Sequence, residues 1–164
     1  EPGLHSTVPP RPTGGNLDCK ELVAGSTLYL PIAVPLGLFS AGDGHARQGD
    51  GESSVTAIEC PLDHVALTFF LLADLQLTLP RAETPAGLIT FGLHADLDQA
   101  AYQALDGMVA LLEERYGLAR LTALGLCSVL VDLHITQLVN QVSGVHAVLS
   151  HEAIAEAGLT AVAR

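Results

Sequence analysis

LITFGLHADLDQAAYQALDGMVALLEERYG, residues 88–117, decides the fold class, because the hydrophobic period changes inside it. Residues 88–93 are a short apolar run of strand length. From Asp96 onward, Leu97, Ala101, Leu105, Met108 and Leu112 recur every three or four positions, which lines one face of an α-helix with apolar side chains. Asp96 is placed to cap that helix, with Gln99 three positions on as its reciprocal partner, and Gly117 supplies a stop after Tyr116. Such a stripe buries itself against a sheet.

Before this stretch the chain reads as strand. Residues 25–40 are rich in β-branched, leucine and aromatic side chains, and Pro31 and Pro35 within them confine a strand to an edge or a bulge. Residues 55–59 and 65–79 continue the pattern, with Thr78, Gln76 and Asp74 alternating against Leu79, Leu77 and Leu75. After it, the spacing predicts a second helix over 118–129. Val131, Leu133 and Ile135 then alternate with Asp132, His134 and Thr136 on a strand, residues 144–149 supply another, and a short helix covers 151–157. The expectation is an α+β fold: a β-rich, sandwich- or barrel-like N-terminal part, then an α/β segment whose long amphipathic helix packs on a sheet. Residues 1–17, with Pro2, Pro9, Pro10, Pro12, Gly14 and Gly15, form an extended Pro/Gly-rich arm. Residues 18–93 make the β-rich part and 94–164 the helix-strand part of one integrated domain.

Hydrophobic residues make up 49% of the 164 and charged residues 15%, an apolar balance that suggests a surface meeting another subunit. Eighteen acidic residues against seven basic ones give a net charge of −11, with Lys20 the sole lysine. Binding to nucleic acid or to an anionic membrane surface needs clustered cations and is excluded on this ground. No apolar run reaches the length of a membrane span. Cys19, Cys60 and Cys127 form no CxxC pair, which argues against a disulfide framework and for a reducing, cytoplasmic setting.

The polar chemistry concentrates in AGDGHARQGDGESSVTAIE, residues 41–59. Asp43, His45, Gln48, Asp50, Glu52 and Glu59 stand there among four glycines. On an extended backbone the spacing of two puts Asp43 and His45 on one face, and Asp50 and Glu52 repeat the arrangement after the bend. An EF-hand loop counted from Asp43 fails, since its fifth, glycine and twelfth positions are Arg47, Gln48 and Ser54.

This stretch resembles the signature of the acetamidase/formamidase family, in which a GD-x-H-A-x-Q-GDGE element follows a strand and leads into a second strand ending in Glu. PPRPTGGNLD at 9–18, GSTLYLPIAVPLGLFSAGD at 25–43, HADLDQAAYQALDGM at 94–108 and VDLHITQLVN at 131–140 extend the match in the family's order. Gly44 departs from it, where a larger apolar residue is usual, as does Ser150, near a position often held by proline. The family's members are longer. The chain opens on Glu1 without an initiator methionine, so the expectation is a piece of a longer polypeptide, corresponding to the family's C-terminal part, with an upstream fragment as partner.

The resemblance implies hydrolysis of short aliphatic amides of the formamide and acetamide type to ammonia and carboxylate. That chemistry needs an activated water, a stabilised oxyanion and a proton for the leaving nitrogen. A metal-bound water would meet the first two needs. Asp43 and His45 are the leading metal ligands, with Asp18 of GGNLD as a third. Histidine with carboxylates suits zinc, whereas an all-oxygen shell suits calcium. Glu52 and Glu59 are the candidates for general base and proton carrier; seven residues apart, they fall on opposite faces of an unbroken strand, and a bulge at Ser53 or Ser54 would alter that parity. Asn16, Gln48 and Asp50 are the candidate substrate contacts, although Asn16 and Asp18 also read as turn residues and Glu59 as an ion-paired acid.

Three other readings stand beside this one. Asp132 and His134 share a strand face and offer a second pair. Cys19 beside Lys20 and Cys60 beside Glu59 suggest a Cys-Glu-Lys nucleophile, but adjacent strand residues point oppositely. The alternative from another class is a non-catalytic, oligomer-forming or small-molecule-binding module of the same fold. The expected partners are a small neutral amide and a homo-oligomer or the upstream fragment.

Overall fold

The computed structural model describes residues 3–162. Seven strands and three helices follow in the order β1 (Thr27–Tyr29), β2 (His45–Arg47), β3 (Ile58–Glu59), β4 (Arg81–Glu83), β5 (Gly87–His94), α1 (Leu97–Tyr116), α2 (Arg120–Leu130), β6 (Val131–Gln137), β7 (Ser143–Ser150) and α3 (His151–Glu156). An antiparallel five-stranded sheet runs β1-β4-β5-β7-β6, and β2 pairs with β3 separately. The α+β class and the helix-on-sheet layer are as the sequence indicates.

Helix α1 forms where the period placed it. Asp96 accepts from the Gln99 amide at 3.0 Å, and Gly117 closes the helix at φ 65°. The reciprocal bond differs from expectation: the Asp96 amide donates to His94 Nδ1 at 2.9 Å. Ala100, Ala104, Met108 and Leu112 pack on Leu88, Val145, Ala147 and Leu149, so one sheet face is covered by α1. Gly92 permits the approach, since a Cβ there would lie 1.8 Å from the Ala100 carbonyl oxygen. The Thr90 hydroxyl, buried in this interface, donates to the Ala104 carbonyl at 2.7 Å.

The opposite sheet face carries Ile89, Phe91 and Val148, packed with Ala82, Cys19 and Leu22. Because side chains alternate, His146 joins this second face, and the register His134↔His146 brings His134 beside it. The rings stack at 5.1 Å and 12°. Cys19 and Leu22 pack on this face, Glu21 reaches it at His146 and Asp50 at His134, which brings the polar segments of the candidate site to the same side.

Several sequence expectations are corrected. Residues 65–79 form no strand, and Phe69, Phe70 and Leu71 are 67%, 76% and 76% exposed. Leu75, Leu77 and Leu79 are half-buried while Gln76 and Thr78 are exposed, so the alternation survives. A strand, however, needs a neighbouring strand, and none of the described residues pairs with this one. Residues 25–40 contribute the three residues of β1, and the β-rich reading of residues 18–79 reduces to three strands of three, three and two residues. On β6 the apolar residues are the outer ones: Leu133 and Ile135 are exposed at the sheet edge, whereas Thr136 is buried facing His146. No helix among the described residues is long and apolar enough to cross a membrane.

Candidate active site

The strand pair β2-β3 sets the centre of the site. Its register places His45 opposite Glu59, and the Cys60 amide donates to the Gly44 carbonyl at 2.8 Å to close the pair. Gly44, the departure from the family pattern, is explained locally: a Cβ would meet Leu62 Cγ at 2.8 Å and the Cys60 carbonyl oxygen at 2.9 Å. Asp18, Asp43 and Glu52 all hold left-handed backbone, at φ 53°, 66° and 40°. Non-glycine residues adopt that region at a cost, and such positions concentrate at functional sites.

His45 is the hub. Its Nε2 lies 3.1 Å from Asp43 Oδ1 and 3.1 Å from Glu59 Oε2, while its Nδ1 lies 2.9 Å from Gln48 Oε1. Gln48 is oriented by its amide nitrogen, which donates to the Asp18 carbonyl. With that nitrogen committed, Oε1 must face the imidazole, so Nδ1 carries the proton and Nε2 is left for the carboxylates or a cation. Burial alone would lower the His45 pKa; the Gln48 bond and the charges of Asp43 and Glu59 overcome it and raise the value.

Asp18 and Glu52 complete the cluster from the inner side. Asp18, His45 and Glu52 present ligand atoms within 4.8 Å of one another, and Asp43, His45 and Glu59 form a second such trio. The Asp18 carboxyl is pushed up to about 7, first by burial, then by the charge and hydrogen bond of Glu52 and the charge of Asp43, with His45 opposing. Asn140 donates to Asp18 Oδ2 at 2.6 Å. Glu52 is buried, and its neighbour Gly51 is held against β6 by a bond to the Thr136 carbonyl at 3.2 Å and one from the Leu138 amide at 3.0 Å. The expected strand parity of Glu52 and Glu59 does not arise, because Glu52 and Val55 both take positive φ and β3 begins later, at Ile58.

Asp43, His45, Asp18, Glu52, Glu59 and Gln48 are therefore brought together. Asp50 sits apart, one oxygen bound by Lys20 and the other 2.9 Å from His134 Nδ1. Asn16 donates to the Val8 carbonyl at 2.9 Å and holds the arm. His134 thus takes Asp50 as its carboxylate partner in place of the Asp132 suggested by strand spacing. At Cys19 a thiol, a carboxylate and an ammonium do meet, through Glu21 in place of a sequence neighbour, with Cys19 donating to Glu21 at 3.4 Å and Lys20 paired with it. The thiol is buried, however, and burial and the Glu21 charge push its pKa up, away from a nucleophilic thiolate.

Sequence reasoning did not single out Asn140, Thr136 or Glu21. VDLHITQLVN held a partial signal, since His134 and Thr136 alternate onto one face; Asn140 and Glu21 gave none. A cleft of about 750 Å³ lies elsewhere, along Tyr29, Arg81, Glu83 and Arg115 with Leu71–Leu75 as one wall. It is lined by paired charges, Arg81 with Glu114 at 2.7 Å and Arg115 with Glu83 at 2.8 Å. The carboxylates clustered at His45 lie outside that cleft, and Asp43 and Glu59 among them are half exposed.

Fold and site together define an α+β protein with a histidine ringed by four carboxylates on the sheet face opposite its helices. Across residues 3–80 the chain matches the sequence profile of the Acetamidase/Formamidase family. It is 56% identical over 46 residues to a formamidase of Methylophilus methylotrophus, covering 28% of this chain and 11% of that protein. An acetamidase of Mycolicibacterium smegmatis is 50% identical over 46 residues, again 28% of this chain and 11% of the relative. Among solved structures, the acetamidase from Yersinia enterocolitica superposes with a TM-score of 0.79 at 29% identity, over 89% of this chain and 44% of that one. The acetamidase from Bacillus halodurans gives 0.75 at 28% identity, over 93% and 52%. The chain thus spans about half the length of these structures.

Proposed function

We propose that this chain carries the site of a hydrolase of short aliphatic amides, releasing ammonia and a carboxylate. The observation that supports this most directly is the convergence of Asp18, Asp43, Glu52 and Glu59 on His45 within family sequence. Four carboxylates around one imidazole repel one another, and a divalent cation is the natural counter-charge. Asp43, His45 and Asp18 are the residues that would hold it, Asp18 and Asp43 each belonging to a trio of ligand atoms that includes His45, and a histidine-carboxylate set suits zinc. When bound, such an ion polarises a carbonyl and acidifies water.

The protein's own groups perform the remaining work. Gln48 fixes the His45 tautomer through the Asp18 carbonyl. Glu52, buried and rigidly placed beside Gly51, is the base that takes the proton of the attacking water. Glu59, exposed at the rim, exchanges the proton destined for the leaving nitrogen with solvent. Asn140 keeps Asp18 in place.

Open walls around Asp43 and Glu59 favour a second reading, in which the site is completed by another copy or by further family sequence. The exposed face of Leu36, Leu38, Phe39, Phe69 and Phe70 would receive it; Phe39 and Phe69 already pack edge-to-face at 4.9 Å. One assay separates these readings. Ammonia release from formamide, acetamide and propionamide is measured with and without added zinc or calcium, using this chain alone and then as part of a family-length polypeptide. Activity of the longer form alone supports completion from outside. No release by either form refutes the amidase reading.

A further inference from the structure

We propose that Cys19, Glu21 and His146 form a second metal site, a thiolate-containing site for a zinc-type divalent ion that shares no residue with the His45 cluster. The three present a sulfur, an oxygen and a nitrogen within 4.8 Å of one another. Glu21 divides its oxygens: Oε1 is paired with Lys20 at 2.5 Å, and Oε2 is turned inward, 3.4 Å from Cys19 Sγ and 3.2 Å from His146 Nε2. Zinc bonds of about 2.0–2.3 Å separate neighbouring ligand atoms by roughly 3.3–3.7 Å along the edges of a tetrahedron. Both observed separations are close to that edge.

The second observation is the imidazole itself. His146 is 0% exposed, and its Nε2 completes no regular hydrogen bond although Glu21 Oε2 stands 3.2 Å away, at ion-pair distance. A buried ring nitrogen left without an aligned partner is uncommon, because it forgoes solvation without replacement. The other nitrogen, Nδ1, is 2.7 Å from the Thr136 hydroxyl, the kind of outer partner that orients metal-binding histidines. Phe91 and His134 fix the ring plane at 6.1 and 5.1 Å.

Binding exchanges a proton for the ion. The Cys19 S–H bond breaks, the proton leaves to solvent, and a metal–sulfur bond forms; thiolate and carboxylate then neutralise the divalent charge in a nearly dry setting. The Glu21 edge, where the trio retains some exposure, admits the ion and leaves the fourth position to water.

Cobalt(II) is the probe, because sulfur-to-metal charge transfer in the near ultraviolet reports a thiolate ligand and an oxygen-nitrogen site cannot produce it. Cobalt is titrated into the metal-free full chain, and zinc content is measured by elemental analysis after reconstitution. The expected result is a charge-transfer band that persists in Cys60→Ser and in His45→Ala, disappears in Cys19→Ser and weakens in Glu21→Gln, with Cys19→Ser losing one zinc equivalent. Absence of the band from the parent chain, or its persistence in Cys19→Ser, overturns the proposal. Since the band is read without amide turnover and in the absence of His45, its outcome is independent of the hydrolase reading.

Discussion

Gln48 is the most exposing test of how the site is organised, because it touches neither water nor substrate in the proposed chemistry yet ties two parts of the cluster together. Gln48→Leu preserves most of the side-chain volume and removes both bonds: the 2.9 Å contact to His45 Nδ1 and the donation to the Asp18 carbonyl. Each net hydrogen bond contributes about 0.5–1.5 kcal/mol. Here the loss falls on the orientation of a ligand, for which outer-shell substitutions typically weaken metal binding about 10–100-fold, or about 1.4–2.8 kcal/mol. The two ranges agree near 2 kcal/mol, so zinc affinity at the His45 site falls roughly 30-fold. The assay is calorimetric zinc titration in a Cys19→Ser background, which isolates this site from the one at His146. Gln48→Glu, which keeps an acceptor for Nδ1 but loses the donor to Asp18, falls between parent and Gln48→Leu. If Gln48→Leu binds zinc within threefold of the parent while His45→Ala does not bind, the tautomer reasoning is wrong.

Glu52→Gln retains the volume and removes the base, so amide turnover falls about 10²–10⁴-fold at unchanged thermal midpoint, read by ammonia release and a melting curve. Gly92→Ala drives a Cβ into the Ala100 carbonyl, forcing α1 to withdraw by roughly 1.5 Å; the cost is about 3 kcal/mol, a drop of about 6–12 °C in melting temperature. A change below about 0.5 kcal/mol would show that the helix is not seated as described. Glu83 is held below the usual carboxylate range by its bond to Arg115, with burial opposing, so its stabilising effect is present above the unfolded value of about 4.3 and is lost as pH falls through the lower folded value. Glu83→Gln therefore shows a shallower loss of stability on acidification below about pH 4.3 than the parent, measured as urea midpoints from neutral pH to pH 3; because both partners are about one-third exposed, the difference is small and shrinks with salt.

What the sequence disclosed follows from which interactions are local. Helix α1 was legible from Asp96 to Gly117 because its cap, stripe and stop act over three or four residues. The pairing of Asp43 with His45 was legible for the same reason. Glu52 and Glu59, read from the sequence as general base and proton carrier, do lie beside His45, but the route by which they reach it was not legible, since the positive φ of Glu52 and Val55 is a backbone state that an acidic or β-branched residue does not advertise. Asn140 arrives at Asp18 through the register of β6 on β7, which depends on strands distant in sequence. Residues 65–79 show the converse: the alternating pattern of a strand is present, but pattern alone supplies no hydrogen-bonding neighbour. On β6, the polar side faces inward because coil covers that face, and the edge position leaves Leu133 and Ile135 outside.

The left-handed backbone at Asp18, Asp43 and Glu52 sets a limit on how this protein can be improved. Glycine at any of these positions would relieve the torsional penalty, the simplest stabilising change open to an engineer or to drift, and would delete a carboxylate from around the imidazole in the same step. Thermal robustness and chemistry therefore compete at the same three codons. Thermostable variants are to be sought in the helix layer, where α1 can be strengthened without touching an acid.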